Sequence, residues 1–460
     1  MSAIDFLLER FEQHRNADAV IWKAAVCNYG QLLDLLFRHR AFLEAEKIES
    51  GTVVALEGDF SPSAITLLLA LIERNCIIVP LTTSVRHKRA EFLEVALAEV
   101  LMTIDESEQL CVARVNVRGD HELYDAIRNG ARPGLVVFSS GSTGKSKAAV
   151  HDFVPLLEKF KRLRRALRTL TFLLFDHLGG LNTLFHTLSN GGCVIVTPAR
   201  TPDAVLEAIE KFRVELLPTS PTFLNLMLFS EAYQRHDLRS LKLVTYGTEP
   251  MPESTLKKFC SLFPDIQMLQ TYGLSEIGVL RSKSKSSDSL WLKIGGEEFE
   301  TRVIDGLLQI KAQSAMLGYL NAPSPFTEDG WLITGDSVEV DGEYLKILGR
   351  KSELINVGGQ KVYPNEIEGV ILEMENVAEV TVYGERNAIM GSIVCAKVRL
   401  KDSDDSSAFS LKLKQFCQSR MEAYKIPMRI FLEEKELSTE RFKKGRVQQH
   451  EPQTPADVHS

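Results

Sequence analysis

Short apolar, β-rich segments alternate with helical segments along the first 270 residues, and this alternation constrains the fold more than any other feature. Residues 52–56 and 76–80 predict strands, and residues 62–74 between them predict a helix. The same order recurs further on, with Thr201 as the predicted N-cap of a helix over 202–212. Because strand–helix–strand repeats favour parallel sheets covered by helices, we predict an α/β fold for this part.

The sequence pattern changes after this part and again near Arg350. Short strands, among them residues 331–333 and 337–340, lie between turns that include Asp305-Gly306 and Asp341-Gly342, and they predict an antiparallel β unit. Helices and strands then mix over roughly 100 residues, which is the size of a small α+β domain. We predict an N-terminal domain, a small mobile C-terminal domain and a disordered polar tail, at residues 1–350, 351–447 and 448–460.

Composition excludes several classes of function. Hydrophobic residues make up 44% and charged residues 25%, as in an ordinary globular protein. The net charge of −7 argues against nucleic acid as a partner, yet it leaves room for a local basic pocket that takes a small anion. The seven cysteines include no CxxC pair, which argues against a zinc cluster or a disulfide framework. We predict no signal peptide and no membrane span, and hence a cytoplasmic location.

A polar loop after a predicted strand at 134–138 is the most specific local motif. Residues 138–147 read Phe-Ser-Ser-Gly-Ser-Thr-Gly-Lys-Ser-Lys. Glycines let the backbone approach an anion, and N–H groups, hydroxyls and ammonium groups can then surround phosphate oxygens. A Walker A loop would need glycine at position 139. The residues predicted to bind phosphate are Ser139, Ser140, Gly141, Ser142, Thr143, Gly144 and Lys147.

This loop resembles the phosphate loop of the adenylate-forming superfamily, which includes acyl-CoA synthetases, luciferases and the adenylation domains of peptide synthetases. Ser146 and Ala148 stand where that family usually has Pro and Gly, which affects the stiffness of the loop more than its chemistry. Further motifs resemble those of the family in the same order, which is more specific than a lone motif. They are Tyr246-Gly-Thr-Glu-Pro-Met-Pro252, Gln270-Thr-Tyr-Gly-Leu-Ser-Glu276, Gly330-Trp-Leu-Ile-Thr-Gly-Asp336 and residues 348–368.

The resemblance implies a ligase reaction in two steps. A carboxylic acid attacks the α-phosphorus of ATP to give acyl-adenylate and pyrophosphate, and a thiol then attacks the acyl carbon while AMP leaves. Phosphoryl transfer of this kind depends on positioning and charge neutralisation rather than on a protein nucleophile. The implied cofactors are ATP, Mg²⁺ and CoA, or a carrier-protein phosphopantetheine in place of CoA.

The resemblance also implies roles for residues around the nucleotide. Asp336 would accept hydrogen bonds from both ribose hydroxyls, because a carboxylate has two acceptor oxygens. Glu276 and Ser142 would hold Mg²⁺ on the ATP phosphates. Tyr272 would flank adenine, and Ser275 would reach the α-phosphate. Further implied nucleotide contacts are Gly247, Thr248, Glu249, Pro250, Thr271, Gly273 and Arg350.

The resemblance implies three features of the small domain. Family members end with a lysine that neutralises charge in the active site during adenylation, and Lys443 is our choice for it over Lys444. The small domain of the family rotates between the two half-reactions, and Ser352 stands at the hinge position. Gly358 and Gly359 would then face the active site and leave room for a narrow pantetheine arm.

The acid side of the site is implied by Phe175-Asp-His-Leu-Gly-Gly180. His177 would gate or line the acyl pocket, and Gly179 would lie beside it. Asp176 has two open roles, because a buried carboxylate needs a partner. That partner is either a substrate amine or a protein donor such as His177.

An acid–CoA ligase is the leading interpretation. One alternative is a stand-alone adenylation enzyme that loads an acyl or aminoacyl group on a carrier protein, because resemblance at the level of the fold does not identify the acceptor thiol. Another is a non-catalytic nucleotide-binding protein of the same fold. The presence of Lys147, Glu276 and Asp336 argues against this last alternative.

Overall fold

The predicted α/β architecture is confirmed by a computed structural model, which describes residues 2–115, 119–140, 146–296, 298–439, 442 and 444. Two largely parallel sheets and one antiparallel sheet precede a small α+β unit in the described residues. The α-helices of the described residues are Asp5–Gln13, Tyr29–Ala45, Pro62–Glu73, Arg89–Val95, Glu122–Asn129, Phe153–Glu158, Leu178–Ser189, Pro202–Phe212, Pro221–Ser230, Glu253–Leu262, Pro364–Ile371 and Ser406–Gln418. Each of them is too short or too polar to cross a bilayer.

Sheet A carries the strand that leads into the predicted phosphate loop. Its inner strands pair in parallel and its outer pairs are antiparallel. The two central strands are buried along their whole length, as expected for parallel strands covered on both faces. In spatial order, its described strands are Gly318–Tyr319, Ser146–Asp152, Gly134–Ser140, Ile77–Leu81, Val53–Glu57, Val100–Ile104 and Leu110–Arg114.

Sheet B is parallel except at one edge pair. Its strand ends matter for the site, because ligands of parallel sheets bind beyond the carboxyl ends of strands. In spatial order, its described strands are Gln267–Gln270, Leu243–Tyr246, Leu216–Thr219, Arg168–Leu170, Cys193–Ile195, Asp18–Trp22 and Ala25–Asn28.

Three helices of this part begin with the same local signal, a hydroxyl residue followed by proline. The side chains of Ser61, Thr201 and Ser220 each accept a hydrogen bond from the N–H three residues ahead. Proline suits the first helical position because its missing N–H would have no partner within the helix. The predicted N-cap at Thr201 is therefore confirmed.

Sheet C is antiparallel, as predicted. Asp305 and Gly306 have φ values of 51° and 75°, which is the left-handed geometry that their turn requires. We predicted separate strands at 331–333 and 337–340, and this was wrong: Leu332–Asp341 is one strand with a bulge after Ser337. The described strands in spatial order are Ser282–Ser284, Trp291–Ile294, Tyr344–Arg350, Leu332–Asp341, Leu307–Ala312 and Phe299–Ile304, with a separate hairpin of Tyr272–Leu274 and Gly278–Leu280.

The small C-terminal unit packs two helices on one sheet. Its described strands are Gln360–Val362, Ile355–Val357, Gly391–Leu400, Val377–Asn387 and Arg429–Leu432. Hydrogen bonds connect it to the preceding part: for example, Asn225 Nδ2 donates to the Ala378 carbonyl at 3.0 Å, and Ser254 Oγ donates to the Gly369 carbonyl at 2.7 Å. The exact domain boundaries stay a prediction.

Candidate active site

Asp336 lies at the centre of a buried polar corner formed by two strands of sheet C. Asp336 and Arg350 are directly opposite each other in the ladder, so their side chains meet across the strands. Arg350 Nε lies 2.8 Å from Asp336 Oδ1, and another guanidinium nitrogen of Arg350 donates to the Thr334 carbonyl at 2.8 Å. The Tyr272 hydroxyl donates to Asp336 Oδ2 at 2.5 Å. Each carboxylate oxygen therefore has a fixed partner.

Burial raises the pKa of the Asp336 carboxyl, and the charge of Glu276 adds to this effect. The Arg350 guanidinium and the Tyr272 hydrogen bond oppose it. Only 6% of Asp336 is exposed. A carboxylate that is buried and oriented in this way can recognise a pair of hydroxyls with little freedom to reorganise.

Glu276 and Lys147 come together around Tyr319. The Tyr319 hydroxyl donates a hydrogen bond to Glu276 Oε1, and Lys147 Nζ lies 5.3 Å from the centre of the Tyr319 ring. The edge pairing of Gly318–Tyr319 with Ser146–Asp152 brings the tyrosine there. Asn321 fixes this edge, because its amide donates to the Ser146 carbonyl at 2.8 Å and accepts from the Ala148 N–H at 3.0 Å.

The geometry around Glu276 suits Mg²⁺ bound partly by a substrate. Among the described residues there is no group of three or more histidines, cysteines or carboxylates that could hold a metal. Mg²⁺ is commonly bound by one or two carboxylates together with substrate phosphates, so a single glutamate near a phosphate loop fits this ion. His151 Nε2 lies 2.7 Å from the Ser275 carbonyl and fixes the adjacent backbone. Burial lowers the pKa of His151 to about 4, so the imidazole is neutral.

Adjacent strand ends of sheet B hold the segment predicted to contact adenine. Tyr246 and Gln270 are paired in register at the carboxyl ends of their strands. A Cβ on Gly247 would lie 2.7 Å from Thr271 Oγ1, so only glycine fits there. Thr248 has a φ of 75°, which is rare for a β-branched residue and typical of functional sites.

Asp176 has a partner within the protein. It is 4% exposed, and Thr82 Oγ1 donates to its Oδ2 at 3.2 Å. Thr82 follows the strand Ile77–Leu81 and also contacts Ser84 Oγ at 2.8 Å. Of the two roles left open by the sequence, this contact supports the protein donor, with Thr82 as one such donor.

His177 caps a helix in this structure. Its Nδ1 accepts a hydrogen bond from the Gly179 N–H at 3.1 Å, at the start of Leu178–Ser189. The neutral tautomer therefore carries its proton on Nε2. A Cβ on Gly180 would lie 1.9 Å from the Leu174 carbonyl oxygen, so the turn before the helix requires glycine. The helix start thus fixes the position of His177.

We expect Asp176→Asn to leave substrate preference unchanged. Asparagine Oδ1 can still accept from Thr82, so the variant should process an amino-bearing acid and its des-amino analogue in the same ratio as the wild type. Initial rates of pyrophosphate release on both acids measure this ratio. A wild-type preference of about tenfold for the amino-bearing acid, lost in the variant, would instead identify Asp176 as the amine-binding group.

The described tail residues contact both parts of the chain. The Phe442 ring centre lies 5.2 Å from that of Phe172 and 5.5 Å from that of Phe223. The Lys444 N–H donates to Glu249 Oε2 at 3.2 Å, so the tail reaches the segment predicted to contact adenine. Glu249 Oε1 accepts from the Thr222 N–H at 2.8 Å, which holds this carboxylate in place.

The Lys444 side chain belongs to a buried ion pair. Its Nζ lies 2.5 Å from Glu368 Oε2, and Glu368 is fully buried. The other oxygen of Glu368 accepts from the Val382 N–H at 2.9 Å. The ammonium group of Lys444 is therefore occupied within the small unit. Lys443 lies outside the described residues.

The predicted pantetheine loop does not join these groups in this conformation. Gly358 and Gly359 are exposed, with φ values of 58° and 88°. A Cβ on Gly359 would meet no atom within 4 Å, whereas one on Gly358 would touch only Met390. Ser352 lies in the short turn Lys351–Glu353, and its hinge role stays a prediction.

Part of the predicted phosphate loop lies outside the described residues. Gly141, Ser142, Thr143 and Gly144 lie outside the described residues, and so does the side chain of Ser140. Ser139 and Lys147 are described and pair with each other across the strands that flank the loop. The strand order thus brings both ends of the loop to the carboxyl edge of sheet A.

The sequence did not identify several residues that position these groups. Tyr319, Thr222 and Glu368 contact predicted site residues or the tail from distant parts of the chain, and Phe442 of the tail contacts Phe172. Glu368 lies in a recognised motif, and its buried role could have been suspected from the apolar residues around it. The contact of Tyr319 depends on edge pairing between strands far apart in sequence, which no local pattern predicts.

Two family models match the chain. The one described as AMP-binding enzyme matches residues 7–295, and the one described as AMP-binding enzyme C-terminal domain matches residues 366–443. The first alone spans more than half of the chain, and it contains the Gly247, Thr271 and Glu276 segments described above.

Curated relatives include several acid–CoA ligases. The indoleacetate–CoA ligase of Aromatoleum aromaticum is 28% identical, with 88% of this chain and 89% of that protein aligned. Acyl-CoA synthetase 7 of Caenorhabditis elegans is 31% identical over 60% of this chain and 58% of its own length. The long-chain-fatty-acid–CoA ligase of Bacillus subtilis is 29% identical over 55% of this chain and 48% of its own length.

Solved structures with this fold include two acid–CoA ligases. The anthranilate CoA ligase AuaEII in complex with anthranoyl-AMP has a TM-score of 0.81 at 20% identity, covering 96% of this chain and 95% of that one. The o-succinylbenzoate CoA synthetase of Bacillus subtilis in complex with an acyl-adenylate has a TM-score of 0.74 at 21% identity, covering 96% and 99%. At these identities the likeness concerns the fold.

Proposed function

Because this chain belongs to the AMP-binding enzyme family and is an AMP-forming enzyme of the acyl-CoA ligase type, we propose that it activates a carboxylic acid as acyl-adenylate and transfers the acyl group to CoA. The observation that carries this proposal is that Tyr319 contacts both Lys147 and Glu276, and that the charge of Glu276 acts on the Asp336 carboxyl, which Tyr272 holds. These groups supply positive charge for phosphates, a carboxylate for a hard cation and an acceptor pair for a ribose.

Each residue has a separate task in the proposed adenylation step. Asp336, held by Tyr272 and Arg350, binds the ribose hydroxyls and so sets the position of the α-phosphate. Lys147 neutralises charge on the phosphates. Mg²⁺, when bound, offsets the charge that develops on the pyrophosphate leaving group, and Glu276 is the residue that would hold it. Tyr319 keeps one oxygen of Glu276 in a fixed direction.

The orientation of the small unit suits the first half-reaction. The tail contacts Glu249 and the Phe172–Phe223 pair, while Gly358 and Gly359 stay exposed and away from these groups. A rotation about the turn at Ser352 would exchange the tail for the glycine loop and admit a thiol. The proposed second step therefore requires a conformation other than this one.

A screen of pyrophosphate release tests the proposed activity. Aryl-acetic, benzoic, short-chain, fatty and amino acids are compared with ATP, with and without CoA, and the acyl products are separated by chromatography. AMP and acyl-CoA formation on at least one acid is the expected result. Release of ADP, or no nucleotide turnover on any acid, would contradict the proposal. Adenylate formation without transfer to CoA would favour a carrier protein as the acceptor.

We expect substitutions of the two tail lysines to have different effects, one on adenylation and the other on stability. Lys443→Ala should slow acyl-adenylate formation but spare thioester formation from supplied acyl-adenylate, because its charge is needed only while anionic groups approach each other. Lys444→Ala should instead lower the melting temperature, since it removes the ammonium group that pairs with the buried Glu368 carboxylate, at a cost of about 3–5 kcal/mol.

The double variant Lys444→Ala with Glu368→Gln is the matched control. It also removes the buried carboxylate charge, and part of the lost stability should return. Single-turnover assays and thermal unfolding separate the two effects. If Lys444→Ala abolishes adenylation at an unchanged melting temperature while Lys443→Ala is active, then the tail assignment is displaced by one residue.

A further inference from the structure

A buried histidine lies on the same strand as Lys147 and has no task in the reaction proposed above. His151 follows Lys147 in the strand Ser146–Asp152 and is fully buried. Because successive side chains of a strand point to opposite faces, Lys147, Ala149 and His151 share one face. Tyr319 is paired directly with Ala149, so its ring lies on that face too. The strand therefore presents His151 on the same side as Lys147, which is proposed to bind phosphate.

The turn that carries Glu276 is held from outside at three consecutive carbonyls. It consists of residues 275–277 and joins the two strands of a short hairpin. Each of these carbonyls accepts a hydrogen bond of 2.7 Å from another segment of the chain. In the order of the carbonyls, the donors are His151 Nε2, the Met316 N–H and Ser314 Oγ. The turn is therefore fixed by partners other than its own hairpin.

His151 is the donor that connects this turn to the strand of Lys147. The other two donors precede the edge strand Gly318–Tyr319. The Ser275 carbonyl can only accept, so Nε2 of His151 carries the proton. Burial lowers the pKa of His151 to about 4, so the ring is neutral and needs no counter-charge. The contact is thus a neutral hydrogen bond to the residue directly before Glu276.

Two contacts together fix Glu276 relative to Lys147. His151 holds the backbone one residue before the carboxylate. The Tyr319 hydroxyl holds one carboxylate oxygen, and the ring centre of the same tyrosine lies 5.3 Å from Lys147 Nζ. The first contact sets where the glutamate backbone lies, and the second sets where its side chain points. Without the first, the position of the carboxylate relative to the ammonium group would be less constrained.

We propose that His151 is a positioning residue, which keeps Glu276 and Lys147 at the spacing at which both meet the phosphates of one ATP with its Mg²⁺. It acts through the backbone of Ser275 rather than through contact with the nucleotide. This role rests on the proposed function, because that function assigns Mg²⁺ to Glu276 and the phosphates to Lys147. Partners that orient a metal ligand contribute strongly to binding, since a misdirected carboxylate does not reach the cation.

ATP binding by the full-length protein tests this role. The amide nitrogen of glutamine is separated from Cγ by as many bonds as Nε2 of histidine, so His151→Gln can still donate to the Ser275 carbonyl. In asparagine this nitrogen lies closer to the backbone, so His151→Asn falls short. With Mg²⁺ present, His151→Asn should raise the Kd for ATP at least about tenfold, whereas His151→Gln should bind nearly as the wild type does. Without Mg²⁺ the defect should be smaller. Calorimetric titration without any acid measures these constants.

His39→Asn is the matched control. His39 is also buried, and its Nδ1 and Nε2 lie 3.0 Å from Thr66 Oγ1 and 3.3 Å from Ser63 Oγ. These contacts join two helices that carry none of the predicted site residues. The control should lower the melting temperature but leave the Kd for ATP unchanged. His151→Phe, which keeps a ring without the donor, replaces His151→Asn if the latter does not fold, and the same weakening is expected.

Three results would overturn this role. They are a wild-type Kd for ATP in His151→Asn and His151→Phe, an equal weakening in His39→Asn, and an equal weakening in His151→Gln, which would show that the hydrogen bond to Ser275 is not the cause. Pyrophosphate release by the wild type is measured alongside. No release on any acid would reject the proposed function, while the titrations of ATP would still decide the role of His151.

Discussion

Asp336→Asn is expected to lower the rate of acyl-adenylate formation by at least about a hundredfold, on the scale of losing a preorganised electrostatic contact in an active site. The amide keeps the volume of the carboxylate but loses one acceptor oxygen and the negative charge. Arg350, 2.8 Å away, then loses its ion-pair partner, and the ribose is no longer held by two equivalent oxygens. Pyrophosphate release at saturating acid and varied ATP measures the effect.

Tyr272→Phe provides the control for this substitution. It removes only the hydroxyl that donates to Asp336 Oδ2, so the carboxylate and its partner Arg350 remain. We expect a smaller loss than with Asp336→Asn, expressed mainly in the KM for ATP, and little change in melting temperature. An Asp336→Asn variant with a near-normal rate and an unchanged KM for ATP would show that the ribose is bound elsewhere.

Glu276→Gln should reduce adenylation at least about tenfold, and the defect should be largest at low Mg²⁺. Glutamine keeps the shape and can still accept from the Tyr319 hydroxyl, so the change removes charge rather than structure. The measurement is the rate of pyrophosphate release over a Mg²⁺ titration.

Tyr319→Phe separates orientation from charge at the same carboxylate. It frees Oε1 of Glu276 but leaves its charge, so we expect a milder defect that added Mg²⁺ partly restores. If Glu276→Gln released pyrophosphate normally at low Mg²⁺, the cation would have to be held by other residues.

Local signals in the sequence predicted much of the fold for physical reasons. The hydroxyl–proline pair at Thr201 and the Asp305-Gly306 turn act within a few residues, so their outcome hardly depends on the rest of the chain. The long strand Leu332–Asp341 was predicted as two because Thr334-Gly335-Asp336 reads as a break. Strand pairing continues on both sides of these residues, at Ile333 and Ser337, and Asp336 itself pairs with Arg350, while Gly335 has a φ of 76°.

Local signals in the sequence could not predict contacts between distant segments. Thr82 and Asp176 are 94 positions apart, and their hydrogen bond depends on the placement of a strand end beside a helix start. The choice between Lys443 and Lys444 was equally open, since the sequence has two adjacent lysines at this place. The structure assigns the side chain of Lys444 to Glu368, and the choice of Lys443 stays a prediction.

The contacts between the tail and the large part of the chain should keep the protein together after proteolytic cleavage. The turn Lys351–Glu353 joins the large part of the chain to the small unit. It is largely exposed and contains a lysine, so trypsin can cut the backbone between the two parts. The fragments would still share the Phe442 contacts with Phe172 and Phe223 and the Asn225–Ala378 hydrogen bond. A nicked protein should therefore migrate as one species until a denaturant separates its pieces.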